Sequence, residues 1–123
     1  MNVIKKLLFV YGTLKQGHFR SHLLKGQRFL GEYQTEKGYS LYNIGSFPGI
    51  INTDTDSVVN GEIWEIDEEY FTYLDRIEGS PFMFKLQSVK IKNVPLDVYS
   101  YFWQKSTEGL VECGPTWTKE REF

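Results

Sequence analysis

Glycine and proline divide this chain into short segments, and that spacing favours a fold built mainly from short strands. Between residues 29 and 52, segments rich in β-forming residues alternate with residues that favour turns. The interrupting residues are Gly31, Gly38, Gly45, Pro48 and Gly49. Further strands are predicted at residues 7–11, 58–66, 82–92 and 97–104. The run at 7–11 is apolar throughout, so we expect that strand to be buried on both faces.

Residues 67–78 carry the clearest helical pattern. Asp67 is a suitable N-cap, and Gly79 follows the last residue as a stop signal. Tyr70, Leu74 and Ile77 form one apolar stripe at helical spacing. Residues 18–24 predict a second, shorter helix.

These elements predict an α+β fold. The 123 residues are enough for a single domain spanning 1–123. With many short strands, closure into a small mixed or antiparallel β-barrel with flanking short helices is an economical way to remove exposed strand edges. The charged C-terminal residues 117–123 are expected to fray.

Composition narrows the function classes. The net charge is -2, with 14 basic and 16 acidic residues well mixed, so we expect no nucleic-acid partner and no anionic membrane surface. No apolar run approaches the length of a membrane span. Cys113 is the only cysteine, which excludes an internal disulfide and a zinc site made of thiolates. A reducing, cytoplasmic location fits this composition best.

The loop at residues 9–18, FVYGTLKQGH, places two glycines directly after the first apolar run. A phosphate-binding P-loop requires Lys and then Ser or Thr after its second glycine, but Gly17 is followed by His18 and Phe19. A loop containing Gly12 can still direct backbone N–H groups at a carboxylate or an oxyanion. The alternative is an ordinary turn between a strand and a helix.

Histidine and cysteine give weaker signals. His18 and His22 are four residues apart, but the glutamate that follows the first histidine of a catalytic zinc helix is replaced by Phe19. We therefore expect two surface histidines and no metal site. Cys113 has no base nearby in sequence and is expected to be a buried apolar residue.

Glu78 is the acidic residue with the most unusual predicted surroundings. It closes the predicted helix, where the negative end of the helix dipole disfavours its charge. Apolar neighbours such as Ile77 and Phe82 would remove water from the carboxyl group. Both effects raise the pKa towards neutrality, where a carboxyl group can accept and return a proton. The alternative is a solvated glutamate in the last turn, and Asp75 and Glu69 are both predicted to lie at the surface.

The ordered set of motifs resembles the gamma-glutamylcyclotransferase family, in particular its gamma-glutamylamine cyclotransferase and AIG2-like branch. The resemblance rests on four segments, and the order and spacing of the chain agree with the family from residue 6 to about residue 105. They are residues 9–15 (FVYGTLK), 47–49 (FPG), 61–67 (GEIWEID) and 74–78 (LDRIE).

This resemblance implies a small β-barrel with a pocket where the loop meets Glu78. It implies an enzyme that releases 5-oxoproline from a gamma-glutamyl amine or peptide without a metal or organic cofactor, with Glu78 as general acid and base. The implied substrate-binding residues are Tyr11, Gly12, Thr13, Leu14, Pro48 and Trp103. The implied partner is a small gamma-glutamyl compound.

Three positions depart from the family pattern. Phe84 and Leu86 stand where family members often carry tyrosine and arginine, and Trp103 stands where a second tyrosine is common. These departures favour either a specialised substrate or a different class of function, a non-catalytic small-molecule-binding or protein-interaction module on the same fold. Retention of Glu78 favours the enzyme.

Overall fold

The computed structural model describes residues 4–122. The predicted α+β class is confirmed, since these residues form a mixed sheet with one short α-helix and three 3₁₀ helices. The strands are β1 (Lys5–Val10), β2 (Arg28–Gln34), β3 (Tyr39–Asn43), β4 (Pro48–Asn52), β5 (Asn60–Asp67), β6 (Phe84–Val89), β7 (Val98–Trp103) and β8 (Val111–Glu112). The helix α1 spans Phe71–Ile77, and the 3₁₀ helices span Ser21–Leu24, Glu68–Tyr70 and Lys119–Glu122.

Strand β7 is the point at which the sheet branches. The strand order is β2-β5-β1-β7-β4-β3-β8, and β6 pairs along the whole of β7 from its other side. The beginning of β7 pairs parallel with β1, at Val98 and Tyr99, whereas Phe102 pairs parallel with Ile50 of β4. β1 and β4 therefore pair with successive parts of the same edge of β7.

The sheet curls into a half-barrel, which confirms the predicted small mixed β-barrel. An isolated antiparallel bridge between Thr35 and Ile91 joins the end of β2 to the chain beyond β6. The N–H groups of Glu36 and Lys92 donate hydrogen bonds of 2.9 Å across the same junction. The two edges of the curled sheet are thus connected at this end.

Strand β1 is buried on both faces, as its apolar sequence predicts. Phe9 packs into the cluster enclosed by the curled sheet, whereas Leu8 and Val10 pack into a second cluster that includes Leu74 of α1. Each of these three β1 side chains is at most 4% exposed. Because side chains of a strand alternate between its faces, β1 connects the two cores.

The helical region is shorter than the sequence predicts. Asp67 is the last residue of β5 and does not cap a helix, because its carboxylate accepts a hydrogen bond of 2.7 Å from Lys5 on the neighbouring strand. A 3₁₀ turn follows, and the α-helix begins only at Phe71. Its stripe packs as predicted, with Leu74 fully buried.

The prediction that the C-terminal residues fray is wrong for residues 117–122. Trp117 is fully buried in the cluster inside the sheet. The Glu122 carboxylate accepts hydrogen bonds from the Trp117 indole and from the backbone N–H of Phe19, and it contacts the His18 ring. The prediction for Phe123 concerns a residue outside the described part of the chain.

Residues 18–24 contain only the 3₁₀ turn Ser21–Leu24 in place of the predicted helix. Across residues 4–122, no helix has the length and apolar character needed to cross a membrane.

Candidate functional site

A pocket lies where the loop after β1 meets the C-terminal end of α1. The pocket is open to solvent on one side, and its volume of about 90 Å³ suits a compact chemical group. The structure brings together here six of the residues singled out in the sequence: Tyr11, Gly12, Thr13, Leu14, Pro48 and Glu78. The remaining lining residues are Phe9, Val10, Arg20, Phe47, Ile77, Met83, Phe84 and Tyr101.

The loop packs closely against Pro48, the first residue of β4, because Gly12 has no side chain. A Cβ at this position would lie 2.6 Å from Cγ of Pro48 and 2.8 Å from its Cδ, which is closer than real Cβ contacts allow. The loop is further fixed by two backbone hydrogen bonds, from the N–H of Lys15 to the Gly12 carbonyl and from the N–H of Arg20 to the Thr13 carbonyl. Gly12 therefore permits a close approach that any other residue would prevent.

The same loop presents unused hydrogen-bond donors. Within residues 4–122, no protein acceptor receives a hydrogen bond from the backbone N–H groups of Gly12, Thr13 or Leu14. Donors of this kind beside a pocket can hold a carboxylate or a developing oxyanion.

Tyr11 contributes to the pocket wall, but its hydroxyl group has a structural role. The hydroxyl donates a hydrogen bond of 2.6 Å to the Tyr101 carbonyl and accepts one of 3.2 Å from the N–H of Ile50. Burial raises the pKa of this phenol well above its usual value. The hydroxyl ties together β7 and β4 next to the loop, and its proton is already committed.

Glu78 follows the last helical residue of α1, and its backbone N–H donates to the Leu74 carbonyl at 2.9 Å. Its carboxyl group makes no ion pair or hydrogen bond with residues 4–122. Burial raises the pKa of Glu78 to about 7, although the positive charge of Arg20 acts in the opposite direction. The direction agrees with the expectation from sequence, and near neutral pH the group can exist in both protonation states.

Arg20 is a pocket residue that the sequence reasoning missed. It is half-buried at the pocket, and its guanidinium takes part in no ion pair or hydrogen bond with the described residues. Its place depends on the backbone hydrogen bond to Thr13, which no local pattern reveals.

Tyr101 and Asp75 form a second feature that the sequence reasoning missed. The Tyr101 hydroxyl donates a hydrogen bond of 2.7 Å to the Asp75 carboxylate at the pocket wall. Burial, followed by this hydrogen bond, raises the pKa of Tyr101. The prediction that Asp75 lies on the surface is wrong, because its side chain is half-buried against β7. Glu69 is exposed, as predicted.

Trp103 is not brought to the pocket with the other predicted residues. Its ring packs edge-on against Phe84 at a centroid distance of 5.3 Å, and its indole N–H is directed at the Ser106 carbonyl. Tyr101 lines the pocket from a position two residues earlier on the same face of β7. Because side chains two residues apart on a strand lie on the same face, the prediction made for Trp103 could have been extended to Tyr101.

Phe84 and Leu86, which depart from the family pattern, have different surroundings. Phe84 is buried and forms part of the pocket wall, where its ring packs against Phe47 at 6.1 Å. Leu86 is half-buried and packs against the cluster beside α1.

The histidines and the cysteine contribute no recognisable site. His22 is exposed, whereas His18 is half-buried beside Glu122, which corrects the expectation that both lie at the surface. Within residues 4–122, no group of three or more His, Cys, Asp or Glu side chains is arranged to hold a metal ion. Cys113 is buried as expected, and burial raises the pKa of its thiol.

Comparison with known proteins gives consistent matches over nearly the whole chain. A family model described as "Gamma-glutamyl cyclotransferase, AIG2-like" matches residues 8–119. The gamma-glutamylcyclotransferase family protein ytfP of Citrobacter rodentium is 32% identical over 111 residues, which cover 87% of this chain and 91% of that protein. The gamma-glutamylaminecyclotransferase of Rattus norvegicus is 30% identical over 93 residues, which cover 69% of this chain and 62% of the rat protein.

A solved structure matches the fold as a whole. The crystal structure of an Escherichia coli protein described as specific to uropathogenic strains superposes with a TM-score of 0.80 at 25% identity, and the match covers 92% of both chains. The region matched by the family model includes both the loop after β1 and the end of α1.

Proposed function

Because the chain belongs to the gamma-glutamyl cyclotransferase, AIG2-like family, we propose that it releases 5-oxoproline from a gamma-glutamyl amine or a gamma-glutamyl peptide. The observation that carries this proposal is the unpartnered carboxyl group of Glu78, with a pKa of about 7, in one pocket with the unused N–H groups of the loop. A proton-transfer group and a set of oxyanion donors are the two parts that acyl transfer requires.

The reaction closes a ring within the substrate. The α-amine of the glutamyl group attacks its own γ-carbonyl carbon, so a carbon–nitrogen bond forms and the bond to the departing amine breaks. The nucleophile is part of the substrate, which gives it a high effective concentration. No oxidation or reduction takes place, and the balance of the reaction requires no cofactor.

Glu78 carries the proton in this scheme. At neutral pH the α-amine is mostly an ammonium ion, so a base must remove a proton before the nitrogen can attack. Glu78 accepts that proton, and the same nitrogen loses a second proton when the lactam forms. One of the two protons is returned through Glu78 to the departing amine, and the other is released to solvent. A pKa of about 7 suits both steps, because neither the protonated nor the ionised form is strongly disfavoured.

The loop after β1 stabilises charge in the same scheme. When the α-amine attacks, negative charge develops on the γ-carbonyl oxygen. The N–H groups of Gly12, Thr13 and Leu14 are available to bind either that oxygen or the α-carboxylate. Pro48 and Phe84 supply apolar walls around the glutamyl chain.

The proposal includes a cytoplasmic location. One buried thiol with a raised pKa, at Cys113, suits a protein that works in the reducing cytoplasm.

The test is detection of 5-oxoproline by mass spectrometry after incubation with gamma-glutamyl amines, gamma-glutamyl dipeptides and glutathione. The parent protein is expected to form product, and Glu78→Gln is expected to form at least about a hundredfold less, because glutamine cannot transfer the proton. Glu69→Gln is the matched control, since that carboxylate is exposed on the turn before α1, and it should retain parental activity.

Two outcomes would contradict the proposal. Equal product from the parent and Glu78→Gln would remove Glu78 from the mechanism. No product from any folded variant, together with binding of a gamma-glutamyl compound, would favour the non-catalytic binding module, for which Phe84 in the pocket wall is the supporting observation.

A further inference from the structure

We propose that Arg20 binds the α-carboxylate of the glutamyl group and thereby determines substrate specificity, which leaves the N–H groups of Gly12, Thr13 and Leu14 for the γ-carbonyl oxygen. This inference rests on the proposed function and assigns a residue to one end of the same substrate.

Arg20 is a cation without a partner among the described residues. It is half-buried at the pocket, and it belongs to none of the ion pairs formed among residues 4–122. Lys15, the nearest basic residue in the loop, is directed elsewhere, because its Nζ donates a hydrogen bond of 2.8 Å to the Trp117 carbonyl. A partly buried guanidinium with unused donors is suited to an anion supplied by a ligand.

The pocket holds one group of each charge type. Among its lining residues, Arg20 is the only basic side chain and Glu78 the only carboxyl group. When Glu78 is ionised the two charges have opposite signs, and the two side chains are not joined in an ion pair. A gamma-glutamyl compound has one ammonium group and one carboxylate on the same α-carbon, so its head group matches this pair of charges.

The two kinds of hydrogen-bond donor at the pocket suit different parts of the substrate. Arginine presents a planar fork of N–H groups that fits the two oxygens of a carboxylate, whereas separate backbone N–H groups suit a single oxyanion. With the ammonium group at Glu78 and the carboxylate at Arg20, the γ-carbonyl is the substrate's remaining polar group. The loop donors are then available when charge develops on its oxygen.

The backbone fixes Arg20 relative to the loop. Its N–H donates a hydrogen bond of 2.8 Å to the carbonyl of Thr13, and the 3₁₀ helix Ser21–Leu24 follows directly. Leu24 at the end of this turn is fully buried. The guanidinium therefore extends from a backbone position that is anchored on both sides.

The experiment compares two substrates that differ only at the α-carboxyl group. One is a gamma-glutamyl anilide with its free α-carboxylate, and the other is the same anilide with an α-carboxamide, in which the reacting nitrogen and the γ-carbonyl are retained. The carboxamide lowers the pKa of the α-ammonium group, so the ratio in each variant is compared with the ratio in the parent. In the parent protein we expect kcat/KM for the carboxylate to exceed that for the carboxamide by about 10- to 100-fold, as expected for hydrogen bonds to a charged group.

In Arg20→Gln this preference should fall to about threefold or less, because the loss affects only the carboxylate substrate. Arg20→Lys should retain part of the preference, since it keeps the charge but loses the fork. Arg76→Gln, a change at an exposed arginine of α1, should leave the preference as it is. The ratio of the two substrates is informative because any change in the acidity of Glu78 affects both substrates alike. An undiminished preference in folded Arg20→Gln would overturn the inference.

A binding measurement separates this inference from the proposed function. By NMR titration, 5-oxoproline should bind the parent at least about tenfold more tightly than 5-oxoprolinamide, and Arg20→Gln should lose that difference. If no substrate is turned over but this pattern is observed, Arg20 is confirmed as a carboxylate site while the cyclotransferase proposal fails. If the parent turns over substrate and binds both compounds equally, the cyclotransferase proposal stands and the assignment of Arg20 is wrong.

Discussion

Glu78, the proposed proton-transfer residue, reduces the stability of the folded protein at neutral pH. Its carboxyl group is placed where burial raises the pKa from 4.5 to about 7. Between these two values the folded protein holds more protons than the unfolded chain, so the unfolding free energy falls as the pH rises through this window. The contribution is present below about pH 4.5 and is lost as the pH rises towards 7.

This relation predicts a pH-dependent stabilisation by Glu78→Gln. Glutamine has no charge to bury, so the variant should gain about 1–3 kcal/mol of unfolding free energy over the parent between about pH 4 and about pH 8. Urea denaturation at both pH values measures the difference. Glu69→Gln serves as the control, since its side chain is exposed. A difference that does not change with pH would mean that Glu78 is ionised as easily in the folded protein as in the unfolded chain.

At the scale of elements, the pocket depends on the contact between the loop after β1 and the first residue of β4. The Gly12 backbone packs against the Pro48 ring, with no space for a Cβ between them. The loop is therefore positioned by a neighbouring strand as well as by its own hydrogen bonds.

A paired substitution tests this contact. Gly12→Ala should displace the loop from Pro48, with a loss of activity of about a hundredfold and of about 1–3 kcal/mol in unfolding free energy. Pro48→Ala removes the two atoms that an added Cβ would meet, Cγ and Cδ. The double variant should therefore recover much of both losses, as measured by 5-oxoproline formation and urea denaturation. A double variant that is no better than Gly12→Ala would show that the crowding at Pro48 is not the cause.

At the scale of the whole molecule, the C-terminal segment and the loop after β1 stabilise each other. Trp117 fills the interior of the curled sheet, and its carbonyl accepts a hydrogen bond from Lys15 just after the loop. Glu122 then accepts a hydrogen bond from the backbone N–H of Phe19, the residue before Arg20. The C-terminal segment thus supports the chain that leads into the pocket.

Trp117→Ala should accordingly reduce the unfolding free energy by about 3–5 kcal/mol, because it leaves a large cavity in the core. Trp103→Ala is the matched control, since Trp103 is only half-buried and should cost less. Urea denaturation of both variants provides the comparison. Equal losses would contradict the view that the C-terminal segment is part of the core.

Features set by neighbouring residues in the sequence could be predicted, whereas features set by tertiary contacts could not. The apolar run of β1 and the stripe around Leu74 are local patterns, and both were predicted from the sequence. Asp75 was missed because its partner, Tyr101, lies across the sheet. Arg20 was missed because the hydrogen bond to Thr13 that places it belongs to an irregular loop, for which no periodic sequence pattern exists. The charged C-terminal sequence indicated fraying, but the burial of Trp117 depends on a cavity that exists only once the sheet has curled.

Because the sheet branches at β7, one rim of the pocket can differ between related proteins while the other rim stays the same. One rim of the pocket belongs to β1 and α1, which carry the loop and Glu78, whereas Phe47 and Pro48 come from the hairpin formed by β3 and β4. In the strand pairing, this hairpin meets β7 at one pair of residues, Ile50 and Phe102. The turn that precedes Pro48 can therefore vary in length and shape while Pro48 keeps its contact with Gly12. Such variation would reshape one rim of the pocket and leave Glu78, the proposed proton-transfer group, in place.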